Sequence, residues 1–202
     1  MTKKPDDVTR TLIKGIAGGL LLMGFFTLGW SGMAENELNG TDNGIEAITF
    51  SLFSIVFIAY GIYLLKISKR FPEITNDDKK LESKKLKKLF YITWGTEGFL
   101  IGITCCILSH FHYVNFIIPS IALIVGLHFY PMARIFKRKI DYYFATWTCL
   151  IALCGIAMLI LKSFKPSQID TFVCIGAALS TTSYGIFMLY KGSQVTKNGL
   201  QN

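Results

Sequence analysis

Six apolar runs of about 19 to 22 residues, with the charged residues gathered between them, constrain this chain more than any other feature. About 20 helical residues cross the roughly 30 Å hydrocarbon core of a bilayer. The runs lie near 12–33, 45–65, 89–109, 114–133, 143–161 and 169–190. They are apolar nearly all round, whereas the helices of a water-soluble domain keep a polar face. The expected fold is all-α: a polytopic membrane protein with six transmembrane helices, forming a single transmembrane domain over residues 1–202. The first run is longer than the core of a signal peptide and reads as a retained helix.

Lys and Arg orient the spans, because they collect in short cytoplasmic loops. Four occupy the residues up to Lys14, nine the 66–88 connection, four the 134–142 connection and two the stretch after the last span. These 19 fall on one side of the membrane, and only Lys162 and Lys165 fall on the other. Both ends are therefore expected inside. The formal charge of +8 is accounted for by topology and by anionic lipid, without a nucleic-acid partner. The first outer loop carries Glu35, Glu37, Asp42 and Glu46 instead.

Almost nothing lies outside the membrane, so any site must sit between helices or at the membrane surface. In the basic 66–88 connection, Pro72 ends one helix. Asn76, Asp77 and Asp78 can start another, which runs straight into the third span. Leu81, Leu86 and Leu89 would meet lipid there, while Lys79, Lys80, Lys84, Lys85, Lys87 and Lys88 reach headgroups, as does Arg134. Gly15-x-x-x-Gly19 and Gly98-x-x-x-Gly102 offer close helix approach, within the bundle or between two copies in a homodimer.

A weak repeat runs through the chain. Tyr60-Gly61-Ile62 and Tyr184-Gly185-Ile186 close the second and sixth spans, His128-Phe129-Tyr130 closes the fourth, and aromatic pairs followed by Trp94 or Trp147 open the third and fifth. It suggests three helical hairpins related about an axis along the membrane normal.

An ionisable group inside a span costs about 2.5–3.5 kcal/mol on insertion scales, so each one needs a reason. Two lie well inside: Glu97, about 10–12 Å from the cytoplasmic start of its span, and His128, about 7–8 Å from the cytoplasmic end of the next. A very short outer loop joins the two spans, so acid and imidazole should meet at similar depth on antiparallel neighbours. Pairing lets two groups whose charged forms burial penalises share a proton. Pro131 also frees the carbonyl of Leu127. Tyr60 and Tyr184 lie at matching depth, Trp94 one turn before Glu97, and Ser180-Thr181-Thr182-Ser183 adds a polar patch. Together they outline a polar pocket open to the cytoplasm.

The five cysteines lack metal or redox spacing. His110 and His112, in the outer loop, make only a weak alternative metal site. No cofactor is called for, and the motifs of nucleotide-binding loops, zinc proteases and serine hydrolases are absent.

The stretch Gly126-Leu127-His128-Phe129-Tyr130-Pro131-Met132-Ala133-Arg134 resembles a signature of an uncharacterised group of small bacterial six-helix inner-membrane proteins. The resemblance implies a bacterial inner-membrane location and carries no activity with it.

The leading expectation is binding or transport of a small molecule, ion or proton at Glu97 and His128. The alternative is a structural or stress-response membrane protein in which the pair only fastens helices. An intramembrane enzyme is the weakest reading, because no nucleophile or metal constellation accompanies the pair.

Overall fold

The computed structural model describes residues 10–38, 41–73 and 77–200, with backbone alone for 77–80 and 198–200. All its regular elements are helices: α1 (Arg10–Leu38), α2 (Ile45–Ile67), α3 (Asp77–His110), α4 (Ile117–Phe136), α5 (Lys139–Ile160) and α6 (Pro166–Leu200), with short 3-10 turns at Ser68–Arg70 and Val114–Phe116. Each of the six contains a stretch long and apolar enough to cross a membrane. The chain is thus a multi-pass membrane protein, as the apolar runs require.

The helices exceed the apolar runs at several ends. Helix α3 takes in the basic segment without a break, because Lys, Leu and Glu are good helix formers and no Pro or Gly interrupts them. The capping role expected of Asn76 lies outside the described residues, as do the side chains of Asp77 and Asp78. Helix α5 begins at Lys139 rather than near 143, once Lys137 in the left-handed region has ended α4.

The bundle is uneven. Helix α6 is its centre, with most of its apolar stretch buried, whereas that of α3 is almost wholly exposed. Helix α6 packs on α1, on α5 and to a lesser degree on α2 and α4. The hairpins α1–α2, α3–α4 and α5–α6 are each packed pairs, but α2 and α3 share no sustained packing, so the six do not close into a threefold ring.

Where helices approach closely, small residues and short polar side chains make the joint. A methyl group added to Gly185 would overlap the ring of Phe57, and one added to Gly126 would lie 2.7 Å from Cys149 Sγ and 2.9 Å from its backbone nitrogen. Thr181 donates to the carbonyl of Ala178 at 3.0 Å, so Thr27 is the donor in the 2.9 Å hydroxyl contact between α1 and α6. Ser54 donates to the carbonyl of Gly24 (2.9 Å), Thr148 meets Ser180 (2.9 Å), and Trp147 Nε1 donates to the carbonyl of Gly176 (3.1 Å). Such bonds suit a medium that offers polar groups no other partner. At the charged end, Arg10 forms an ion pair with Glu73 and donates to the carbonyl of Lys69, which ties the start of α1 to the exit of α2.

The glycine motifs divide. Gly19 packs on the Met188 side chain, while Gly15, Gly98 and Gly102 face open space.

Candidate functional site

A turn of a few residues reverses the chain between α3 and α4. His112, with φ at 60°, leaves α3, and the Tyr113 amide donates back to the carbonyl of Leu108 at 2.8 Å. Glu97 stands thirteen residues before His110 and His128 twelve after Phe116. At about 1.5 Å rise per residue they fall at nearly the same level. The structure brings them together: Glu97 Oε1 lies 3.5 Å from His128 Nδ1, with side chains only 4% and 10% exposed. From Leu81 to His110, Glu97 is the one residue of α3 that is buried.

The protonation of the imidazole follows from its neighbours. His128 Nδ1 lies 2.9 Å from the carbonyl of Val125, which can only accept, so Nδ1 carries the proton. Nε2 is then the basic nitrogen. The 3.5 Å approach of Glu97 is long for a second hydrogen bond from Nδ1 and acts chiefly as an electrostatic contact. The other carboxyl oxygen, Oε2, is buried without a hydrogen-bond partner. Glu97 Oε2 is thus an unpartnered proton acceptor beside an imidazole whose basic nitrogen is Nε2. The carbonyl bonded by His128 is that of Val125, one turn back, rather than that of Leu127 beside Pro131.

The other expected members disperse. Trp94 is 48% exposed on the lipid side of α3. Tyr60, on α2, stacks on Tyr63 at 5.7 Å and packs beside Gly192 of α6. Tyr184 is buried but donates to Asp141 Oδ1 at 2.8 Å. Phe129 links it to the pair, with its ring 4.5 Å from His128 and 6.0 Å from Tyr184. Of the Ser180–Ser183 patch, Ser180 and Thr181 are spent on helix contacts. The single pocket expected around Glu97 thus resolves into a carboxyl–imidazole contact and a separate Tyr184 cluster.

Asp141 is the residue the sequence reading missed. It is fully buried in the first turn of α5, where it accepts from Tyr184 and, through Oδ2, from Arg138 Nε at 3.1 Å. The Arg138 guanidinium also lies over the Phe136 ring, 4.6 Å from its centre, and 5.7 Å from that of Tyr184. Both carboxylate oxygens are paired, which marks a built-in structural network. The available signal was Arg138 three residues before Asp141 at a helix start.

Lys84, Lys85, Lys87, Lys88 and Arg134 are exposed, and the side chains of Lys79 and Lys80 lie outside the described residues. His110 and His112 are exposed. Among the described residues no three His, Cys, Asp or Glu side chains converge as a metal site.

Fold and site together define a six-helix multi-pass membrane protein with a buried acid–imidazole pair between its least buried helix, α3, and α4. Comparison with known family models, curated proteins and solved structures finds no match.

Proposed function

We propose that the protein binds and passes protons at Glu97 and His128, in the inner membrane of a bacterium, with both chain ends in the cytoplasm. One observation carries the reading: among its described side chains the least buried helix buries a single residue, that residue is an acid, and one of its oxygens has no hydrogen-bond partner. A Ser or Thr could fasten α3 to α4 at lower cost than a carboxyl group in hydrocarbon. What the carboxyl group adds is reversible protonation. A proton arriving from the cytoplasmic side would reside on Glu97 Oε2 or on His128 Nε2 and leave from either, the pair alternating between one proton and none beyond that on Nδ1. The contact is tight and flanked by packed side chains, which suits a proton or small ion better than a larger molecule. The distribution of Lys and Arg supports the orientation. The resemblance around Gly126–Arg134 supports the location.

The test is proton flux into liposomes containing the purified protein, driven by an imposed potential and followed with a trapped pH dye. Wild type should acidify the lumen, and Glu97→Gln and His128→Gln should not, while both variants still unfold cooperatively. Absence of flux in wild type, or equal flux in the variants, would sink the proposal. The second reading, a structural fastener, rests on the same lone burial in α3. It is favoured if both substitutions loosen α3 to proteolysis and no protein form moves protons.

A further inference from the structure

Cations gather where α3 meets the corner between α4 and α5. Lys84, Lys87 and Lys88 stand on α3 just before its apolar run, and Arg134, Lys137 and Lys139 stand at the corner. All six are exposed. Aromatic contacts hold the two groups side by side. The Phe90 ring of α3 lies 6.2 Å from the Phe136 ring of α4, over which the Arg138 guanidinium lies at 4.6 Å. Lys87 is one helical turn from Phe90, and Lys137 follows Phe136 directly. The levels agree as well: Lys88 stands nine residues before Glu97 and Lys137 nine after His128, and those two side chains meet at 3.5 Å. The chain supplies little to neutralise this group. Between Glu82 and Asp141 the one acid is Glu97, buried against His128. Asp141 is buried and spent on Arg138, so Glu82 sets one exposed charge against six. Among the described residues, none of the six cations is in an ion pair.

Like charges this close repel, and anions from outside the chain relieve them. The surface that continues from the cations adds a shape. After Lys84 and Lys88, at spacings of three and four, come Tyr91, Gly95, Gly98 and Gly102, which form one stripe of α3. A methyl group added to any of these three glycines would meet nothing within 4 Å. Trp94 and Phe99 stand exposed on either side of the stripe. It is a bare furrow that starts at the cations and runs along the apolar part of the helix. We infer that α3 and the α4–α5 corner form a site for an anionic phospholipid with two phosphates, its headgroup across the six cations and one acyl chain in the glycine furrow. Basic clusters between membrane helices suit such headgroups, and ammonium and guanidinium groups form charge-assisted hydrogen bonds to phosphate. Each cation near an anionic lipid surface contributes about fivefold in affinity. A second copy of the chain on the same stripe would set Lys84 and Lys88 against their own counterparts, and that repulsion favours the lipid.

The site does not rest on the proton-handling reading of Glu97. The test is native mass spectrometry of the full chain released from neutral detergent, with cardiolipin as the probe. Phosphatidylglycerol at equal phosphate, phosphatidylcholine and inorganic phosphate are separate arms. One cardiolipin per chain should bind saturably and more tightly than any of these. Affinity should fall at least tenfold in Lys87→Gln with Lys88→Gln, and again at least tenfold in Lys137→Asn with Lys139→Gln. Asn is chosen at 137 because that residue holds φ at 52°, which Asn tolerates. Lys66→Gln with Lys69→Gln removes two exposed charges at the end of α2, which has no sustained packing on α3, and should leave binding unchanged. Every substituted side chain is exposed, so the variants keep the fold. No saturable cardiolipin binding, full affinity in either of the first two variants, equal loss in the α2 variant, phosphatidylglycerol or inorganic phosphate binding as tightly, or a dimer that excludes cardiolipin would each overturn the assignment.

Discussion

The energy shared by Glu97 and His128 separates a proton site from a clasp, and its size can be bounded from the geometry. The perturbation is the double-mutant cycle of Glu97→Gln, His128→Gln and the pair, which isolates the term between two residues in contact. Opposite unit charges 3.5 Å apart attract by about 5 kcal/mol at an effective dielectric of about 20, the upper bound if the pair is fully ionised. A neutral hydrogen bond between membrane helices averages about 0.6 kcal/mol, with a maximum near 1.7. The neutral contact here should sit at the low end, because Nδ1 already donates to Val125 at 2.9 Å. A pair that exchanges charge with its surroundings should therefore couple by about 2–4 kcal/mol, and a neutral clasp by less than about 1 kcal/mol. The assay is reversible unfolding of the reconstituted protein by titration with denaturing detergent. A coupling below about 0.5 kcal/mol would refute the reasoning, because two groups that do not feel each other cannot share a proton.

Three further outcomes follow from the packing. Gly126→Ala should destabilise the bundle by about 1–3 kcal/mol, because the new methyl group meets backbone of α5, while Gly98→Ala, facing open space, should change unfolding by less than about 0.5 kcal/mol. Tyr184→Phe removes the donor to Asp141 Oδ1 and should cost about 1–3 kcal/mol in the same unfolding assay, with proton flux retained if the Tyr184 cluster is separate from the pair. In a background without native cysteines, a membrane-impermeant thiol reagent should label Lys162→Cys from outside intact cells and Lys84→Cys only after lysis, the reverse pattern contradicting the proposed orientation.

The spans were legible because hydrocarbon thickness fixes a length, and length survives without knowledge of neighbours. The Glu97–His128 contact was legible for a related reason: a short turn plus a constant rise per residue sets two groups at one level. Level says nothing about rotation. Tyr60, Trp94 and Tyr184 share that level on paper, but each residue turns the helix by about 100°, and packing decides which face looks inward. Trp94 is close to Glu97 on the helix surface and still faces lipid, because α3 touches the bundle along so narrow a strip. Asp141 was missed for another reason. The fifth apolar run begins near 143, two residues after Asp141, whereas α5 already includes it in its first turn. The glycine motifs show the limit of small-residue spacing: one member of Gly15-x-x-x-Gly19 packs inside and the other does not.

The central place of α6 has a bearing on how the protein is made. The other five helices precede it in the chain, so they leave the ribosome and enter the bilayer before the helix that α1 and α5 pack against exists. Until then Thr27, Thr148 and Trp147 lack the partners that α6 supplies. Biogenesis must hold an unfinished bundle in the membrane and complete it in one late step. A stop codon anywhere before α6 would deliver five inserted helices without the element that joins them, a natural substrate for membrane quality control.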